Sequence, residues 1–355
     1  MNGRKIYEEI ASLGFDCALY LDETSQHYLA DMHITDGAVI VSARETALIT
    51  DSRYIEIAET GDLSADVKPY LFRKPLFEYI ADYFAEAGAK KVCLDPGLVT
   101  VKQLETLKTK CEGVEFGFAP DICLKYRRVK TPAEIENIKR AQAITDATFD
   151  HILGFINVDR TELEVAAEME YYMRCKGASG LAFDTIAVSG KKSSMPHGVP
   201  GDVKLTNNSF FTLDFGAAYN SYCSDMTRTV VLGKADGEMK KVYNTVRTAQ
   251  AEAMKFIKAG VRAAEADAVA RDIIKDAGYG EYFGHSLGHS LGLEIHERPS
   301  VSPRSEDILV EGNIVTVEPG IYLPGRYGVR IENMVLVTAD GCENLTNSPR
   351  ELIEL

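Results

Sequence analysis

Apolar positions along the 355-residue chain recur with two different periods. They come round every three to four residues over about 3–13 and over 75–88 (PLFEYIADYFAEAG), which predicts amphipathic helices. The short runs CALYL, GAVIVS, ETALITD and KVCLD are aliphatic and bounded by polar residues, so they read as strands. Residues 1–124 are therefore expected to form a mixed α/β domain. A basic stretch, LKYRRVKTPAE, follows. Its Thr131-Pro132-Ala133-Glu134 combines a capping box with Pro at the first helical position. A linker is placed at 125–130 and a second domain at 131–355.

The second domain repeats one order of elements. A helix over 132 to about 155 precedes another opened by a second capping box, Thr161 to Glu164, and closed near Gly177. Strand-like segments run from there to about 232. Helices at about 237–259 and 263–277 follow, then strand-like segments from 282 to the end. This order implies two related halves facing each other across a shared antiparallel sheet, within an α/β (α+β) fold class.

Two pairs of acids interrupt the apolar strands. In FFTLDFGAAYNSYCSDMTRTVVL (210–232), a two-residue turn at Tyr219-Asn220 would set Asp214 opposite Asp225 and Thr212 opposite Thr227. Alternation places Thr212, Asp214, Asp225, Thr227 and Thr229 on one face, and Phe211, Leu213, Phe215 and Ala217 on the other. In NIVTVEPGIYLPGRYGVRIENMVLV, Glu318 and Glu332 are symmetric about Gly325, and Arg330 shares a strand face with Glu332. Carboxylates opposed at about 5 Å repel, more so when buried. Cations between them would remove the conflict.

A cluster of histidines supplies the other donor type. FGHSLGHSLGLEIHERP (283–299) holds His285, His289 and His296, three of the seven in the chain. The spacing of His285 and His289 would suit a helical metal pair. Gly284, Gly288 and Gly292 would each cost a helix interior about 1 kcal/mol, however, so a turn and strand is expected here. Four carboxylates and an imidazole, without thiolate, suit two ions such as Mn²⁺, Co²⁺ or Zn²⁺. Two such ions about 3.5–4 Å apart can hold a hydroxide between them and polarise a carbonyl.

Composition narrows the partners. A formal charge of −14 argues against nucleic acid and anionic membrane. No apolar run approaches the roughly 20 residues of a membrane span, and the charged first residues do not form a secretory signal. Seven scattered cysteines without CxxC fit reduced thiols in a cytoplasm.

The motifs LDFGA, YCSDMTRTVVLG, GHSLGLEIHERP, VEPGIY and GVRIEN resemble, in order, those of the pita-bread metallopeptidases, most closely Xaa-Pro dipeptidases and Xaa-Pro aminopeptidases. Residues 1–124 look like the creatinase-type N-terminal domain, and AFDTIAVSGKKSSMPHGVP extends the likeness through the catalytic domain. The resemblance implies that Asp214 binds one metal, that Asp225 and Glu332 bridge both, and that His289 and Glu318 complete the second. It implies substrate contacts from His197 and His296, with Glu318 also shuttling a proton. His285 is expected to line the pocket or orient a neighbour, and Arg330 to support a carboxylate or touch substrate. Short proline-containing peptides and a homodimer are implied by the same likeness. A methionine-type aminopeptidase and a metal-free binding relative are the alternative readings. Two positions depart from the pattern: Ser290 replaces the usual Gly and Asn333 the common Asp.

Overall fold

The chain divides into two units, Met1–Arg127 and Arg128–Leu355, in a computed structural model that describes residues 2–61, 63–64 and 66–355. In the first unit, a six-stranded sheet runs in the order Val67–Leu71, Thr46–Thr50, Gly37–Ser42, Cys17–Tyr20, Lys91–Leu94, Glu115–Phe118. Neighbours among the strands from 17 to 50 are antiparallel, and the outer pairings are parallel. Leu19, Ile40 and Ile49 of the sheet pack with Ile80 and Phe84 of the helix Leu76–Ala87 and with Leu107. Two helices lacked an obvious apolar period. Glu23–Ala30 is started by Asp22, whose carboxylate accepts from the Ser25 amide at 2.8 Å. Val101–Lys110 is started by a capping box between Thr100 and Gln103, a pattern visible in the sequence.

The second unit shows the repeated order. Its first half has helices Pro132–Leu153 and Glu162–Cys175, opened by capping boxes at Thr131 and Thr161. They precede an antiparallel sheet of Ile186–Ser189, Ser209–Phe215 and Met226–Leu232. In the second half, helices Gly237–Phe256 and Ala263–Asp276 precede a five-stranded sheet. Its order is Glu297–Val301, Gly288–Ser290, Ile314–Val317, Asn333–Val337, Cys342–Asn344. The hairpin Gly320–Leu323 with Tyr327–Arg330 forms a separate two-stranded sheet in this half. The two halves meet where the Glu332 amide donates to the Thr227 carbonyl at 3.1 Å and the Thr229 hydroxyl to the Arg330 carbonyl at 3.0 Å. Phe210 and Val231 of the first sheet share one core with Val246 and Ala249 of the third helix and with Val315, Val317 and Val329. On the other side of that sheet, Phe211, Leu213 and Phe215 pack on Phe149, Met169 and Met173. Each such phenylalanine contributes about 1.5–3 kcal/mol by burial. With both faces pinned, the Thr/Asp face has no freedom to turn away from the second half.

Two registers set the acids. About Gly325, Gly320 pairs with Arg330 and, beyond a break, Val317 with Asn333, so Glu318 and Glu332 sit together at an interruption where Pro319, with no N–H, cannot donate to the ladder. The first hairpin differs from expectation. Its turn is Asn220-Ser221, both at positive φ (47° and 66°), as the tight turn of a twisted hairpin requires. Asp214 therefore faces Thr227, and Thr212 faces Thr229, rather than Asp214 facing Asp225. Moving the turn by one residue shifts the register by two, so every side chain keeps its face. Among the described residues, no helix is long and apolar enough to cross a membrane.

Candidate metal and active site

Asp225, His289 and Glu332 bring one ligand atom each to within 4.8 Å of one another. Asp225 lies just before the strand Met226–Leu232, His289 in the middle of Gly288–Ser290, and Glu332 just before Asn333–Val337. The His289 ring has one nitrogen settled, because Nδ1 faces the carbonyl of Ser290 at 3.2 Å and can only donate there. Nε2 is then a lone pair, yet it faces Asp225 Oδ2 at 3.5 Å and Glu318 Oε1 at 3.4 Å. Burial, with a smaller push from His296, lowers the His289 pKa to about 4, so a proton does not fill that gap.

The carboxylates are equally short of positive charge. Burial pushes Asp225 well above the usual range, and Glu332, Asp214 and Glu318 add to it. Glu318 is raised well above its ordinary value by burial and then by Glu332. Glu332 is raised to about 7 by burial and then by Asp214. Asp214 Oδ1 and Glu332 Oε1 are buried and find no hydrogen-bond donor among the described residues. Two orphaned oxygens, an inward imidazole lone pair and mutually repelling carboxyl groups fit hard or borderline divalent cations.

Hydroxyls and one guanidinium hold these groups in place. Thr227 Oγ donates to Glu332 Oε2 at 2.7 Å and accepts from Arg330 Nε at 2.9 Å. Thr316 Oγ donates to Glu318 Oε1 at 3.2 Å and accepts from the His289 amide at 3.1 Å. Arg330, almost wholly buried, pairs with Asp214 through Nη2 and donates from Nη1 to the Tyr322 hydroxyl at 2.7 Å. Tyr322 passes the chain on to His285 Nε2 at 2.9 Å, while His285 Nδ1 donates to the Ser286 carbonyl at 2.8 Å. Burial and the nearby Arg330 hold His285 neutral, its pKa lowered to about 4. The sequence named the ligand candidates and placed Thr227 on the acids' face without giving it a role, but it singled out neither Thr316 nor Tyr322. The threonines share strand faces with acids two residues away, a sign that was readable; Tyr322 carried none.

His197 and His296 are exposed. His296 packs edge-on to His289, ring centroids 4.5 Å apart, and the next residue, Glu297, is buried against Lys130 Nζ at 2.9 Å. His197 follows Pro196, whose carbonyl accepts from both Arg330 Nη atoms at 3.3 Å.

The two departures have different consequences. The Ser290 hydroxyl is buried without a partner among the described residues. Asn333 uses both ends of its amide. Oδ1 accepts from Arg228 Nη2 at 2.9 Å and Gln250 Nε2 at 3.1 Å, while Nδ2 donates to Asn344 Oδ1 at 2.6 Å. Arg228 can only donate, which fixes the amide's orientation.

Known proteins share this layout. Residues 136–339 match the model of metallopeptidase family M24, and residues 4–129 that of the creatinase/prolidase N-terminal domain. The Xaa-Pro dipeptidase of Pyrococcus furiosus is 44% identical over 317 residues, 89% of each chain. A solved Xaa-Pro dipeptidase from Bacillus anthracis superposes with a TM-score of 0.96 at 40% identity, covering 100% of this chain and 99% of that one. An X-Pro aminopeptidase from Thermotoga maritima superposes at 0.92 with 36% identity, covering 98% and 100%.

Proposed function

Since the chain belongs to metallopeptidase family M24 and carries a creatinase/prolidase N-terminal domain, we propose that it hydrolyses the bond between an amino-terminal residue and proline, in dipeptides or short peptides. The observation that carries the reading is the His289 Nε2 lone pair, turned toward Asp225 and Glu318 beside orphaned carboxylate oxygens of Asp214 and Glu332. Asp214 would hold one divalent ion, Asp225 and Glu332 both, and His289 with Glu318 the second. Mn²⁺ is the first choice, with Co²⁺ or Zn²⁺ as the alternatives. Ions bound there supply an activated water and polarise the scissile carbonyl.

The chain's own groups do the rest. Glu318 takes the proton released by the water and delivers it to the departing proline nitrogen. His197 and His296, exposed at the rim, donate hydrogen bonds to the substrate carbonyl oxygen and the scissile amide as charge develops there. Arg330 and Thr227 keep Asp214 and Glu332 aimed inward. His285 lines the pocket through its bond to Tyr322. The cysteines form no disulfide among the described residues, which supports a cytoplasmic setting.

Hydrolysis of Ala-Pro and Ala-Pro-Ala, after chelation and refilling with Mn²⁺, Co²⁺ or Zn²⁺, tests this. Cleavage of the dipeptide alone marks a dipeptidase, and cleavage chiefly of the tripeptide marks an aminopeptidase. Failure on both with every metal removes the Xaa-Pro reading and moves the search to Met-initiated peptides.

A further inference from the structure

His197 sits on an exposed loop, yet a residue that contacts a reacting amide must be placed within fractions of an ångström. We propose that Glu162 positions His197 by fastening both ends of that loop with one buried carboxylate. The inference rests on the substrate role given to His197 above.

Glu162 opens the helix Glu162–Cys175 and is fully buried. Its Oε1 accepts from the Ser189 amide at 2.8 Å, where the loop begins. Its Oε2 accepts from the Gly201 amide at 2.9 Å, where the loop ends, and from Lys192 Nζ at 2.7 Å, within the loop itself. Charge-assisted bonds of this kind are about twice as strong as neutral ones. The helix does not need this carboxylate for its own start. Thr161 and Glu164 form the capping box, and the amides of Glu162 and Leu163 already donate to the carbonyls of Val203 and Gly201. The acid is therefore committed to the loop.

Between these ends, the loop meets the metal cluster at one place. Arg330, which also holds Asp214, donates to the carbonyl of Pro196, directly before His197. Glu162 behind and Arg330 in front thus bracket the histidine. The second half of the unit uses a matching device. Asp267, buried on the helix Ala263–Asp276, accepts from the Leu287 amide at 2.9 Å and pairs with Arg271 at 2.7 Å. Arg271 in turn donates to the carbonyls of Phe283 and His285, on the approach to His289. In each half, an acid on the second helix and a cation fasten the segment that carries a site histidine.

The test compares Mn²⁺-loaded full-length wild type with Glu162→Ala, His197→Ala and the double variant on Ala-Pro. Misplacement of His197 should lower kcat in Glu162→Ala by about 10- to 100-fold, with little change in KM or in Mn²⁺ affinity by calorimetry. The double variant should be no slower than His197→Ala. Amide hydrogen exchange at Ser189 and Gly201 should quicken in Glu162→Ala. An unchanged kcat in Glu162→Ala, or losses that multiply in the double variant, would overturn the inference while leaving His197's role intact. A wild-type rate for His197→Ala would instead remove that role, and the inference with it. If Glu162→Ala does not fold, Glu162→Gln, which breaks the pair with Lys192, is measured in the same way. A smaller loss, again absent in the His197→Ala background, is then expected, and a multiplying one overturns the idea.

Discussion

Arg330 and Asp214 form a buried ion pair across the two halves of the catalytic unit, one residue at the end of the strand Tyr327–Arg330 and the other in Ser209–Phe215. The guanidinium stands among four carboxylates and, with Thr227 and Tyr322, draws three site segments together.

Removing that cation should hurt the metal-free protein most. Arg330→Met leaves Asp214 buried without its partner, at a cost of about 3–5 kcal/mol. Added divalent ions take over part of the lost charge. Thermal melts in chelator should therefore show a large drop for the variant, and Mn²⁺ should narrow the gap. Equal melting points in chelator would contradict the assigned role.

The pH dependence of the metal-free protein has a definite sign. Glu332 is raised to about 7, and Asp225 and Glu318 are raised in the same direction. An acid raised in the folded state stabilises below its unfolded pKa, and that stability is lost as pH rises through the folded value. His285 and His289, lowered to about 4, act oppositely. Their contribution is complete above about 6.5 and fades as pH falls toward 4. The informative window is thus from about pH 6.5 upward to 8, where the contribution of the lowered histidines is nearly complete and loss of protons from the raised carboxylates governs the change. Chelated protein should melt lower at pH 8 than at pH 6.5, and saturating Mn²⁺ should reverse the order. A chelated protein that gains stability over this interval would refute the shared-charge account.

Asp225→Asn separates chemistry from folding. Loss of one anionic donor should abolish Ala-Pro hydrolysis with Mn²⁺. The same change relieves repulsion from Glu332, Asp214 and Glu318, so the chelated variant should melt higher than wild type at pH 8. Retained turnover would remove Asp225 from the ligand set.

The glycines around the histidines should respond differently. A Cβ at Gly288 would lie 2.0 Å from the Thr316 carbonyl oxygen and 2.7 Å from its hydroxyl, which holds both His289 and Glu318. Gly288→Ala should cost about 3 kcal/mol or more and weaken metal binding. Gly284 has nothing within 4 Å of such an atom, so Gly284→Ala should stay within about 0.5 kcal/mol. Denaturant melts of the pair check this, and equal tolerance would discount close backbone packing.

What the sequence could show followed from how local the physics was. Thr131 and Thr161 announced their helices because a capping box is complete within four residues. The faces of Asp214, Thr227 and Asp225 were readable because strand alternation needs no partner. Their register was not, since it hung on whether Tyr219-Asn220 or Asn220-Ser221 takes up positive φ. The helix Glu23–Ala30 is short and buries the polar Ser25 and Gln26 along with Tyr28, Leu29 and Ala30, so its apolar period is weak. Arg330 reaches Pro196, 134 positions away, and Glu162 reaches Gly201, 39 away. Bonds of that reach leave no periodic trace, and only the closed fold displays them.

Asn333 carries a consequence for how this chain can vary. Its Nδ2 points at Asn344 Oδ1, eleven positions on, while Asn344 Nδ2 donates to the Thr346 carbonyl at 2.7 Å. An aspartate at 333 would still accept from Arg228 and Gln250, but it would turn a charged oxygen toward the oxygen of Asn344. An aspartate at 333 alone is thus penalised, and one accompanied by a donor facing it from 344 is not. Positions 333 and 344 should be inherited as a matched set.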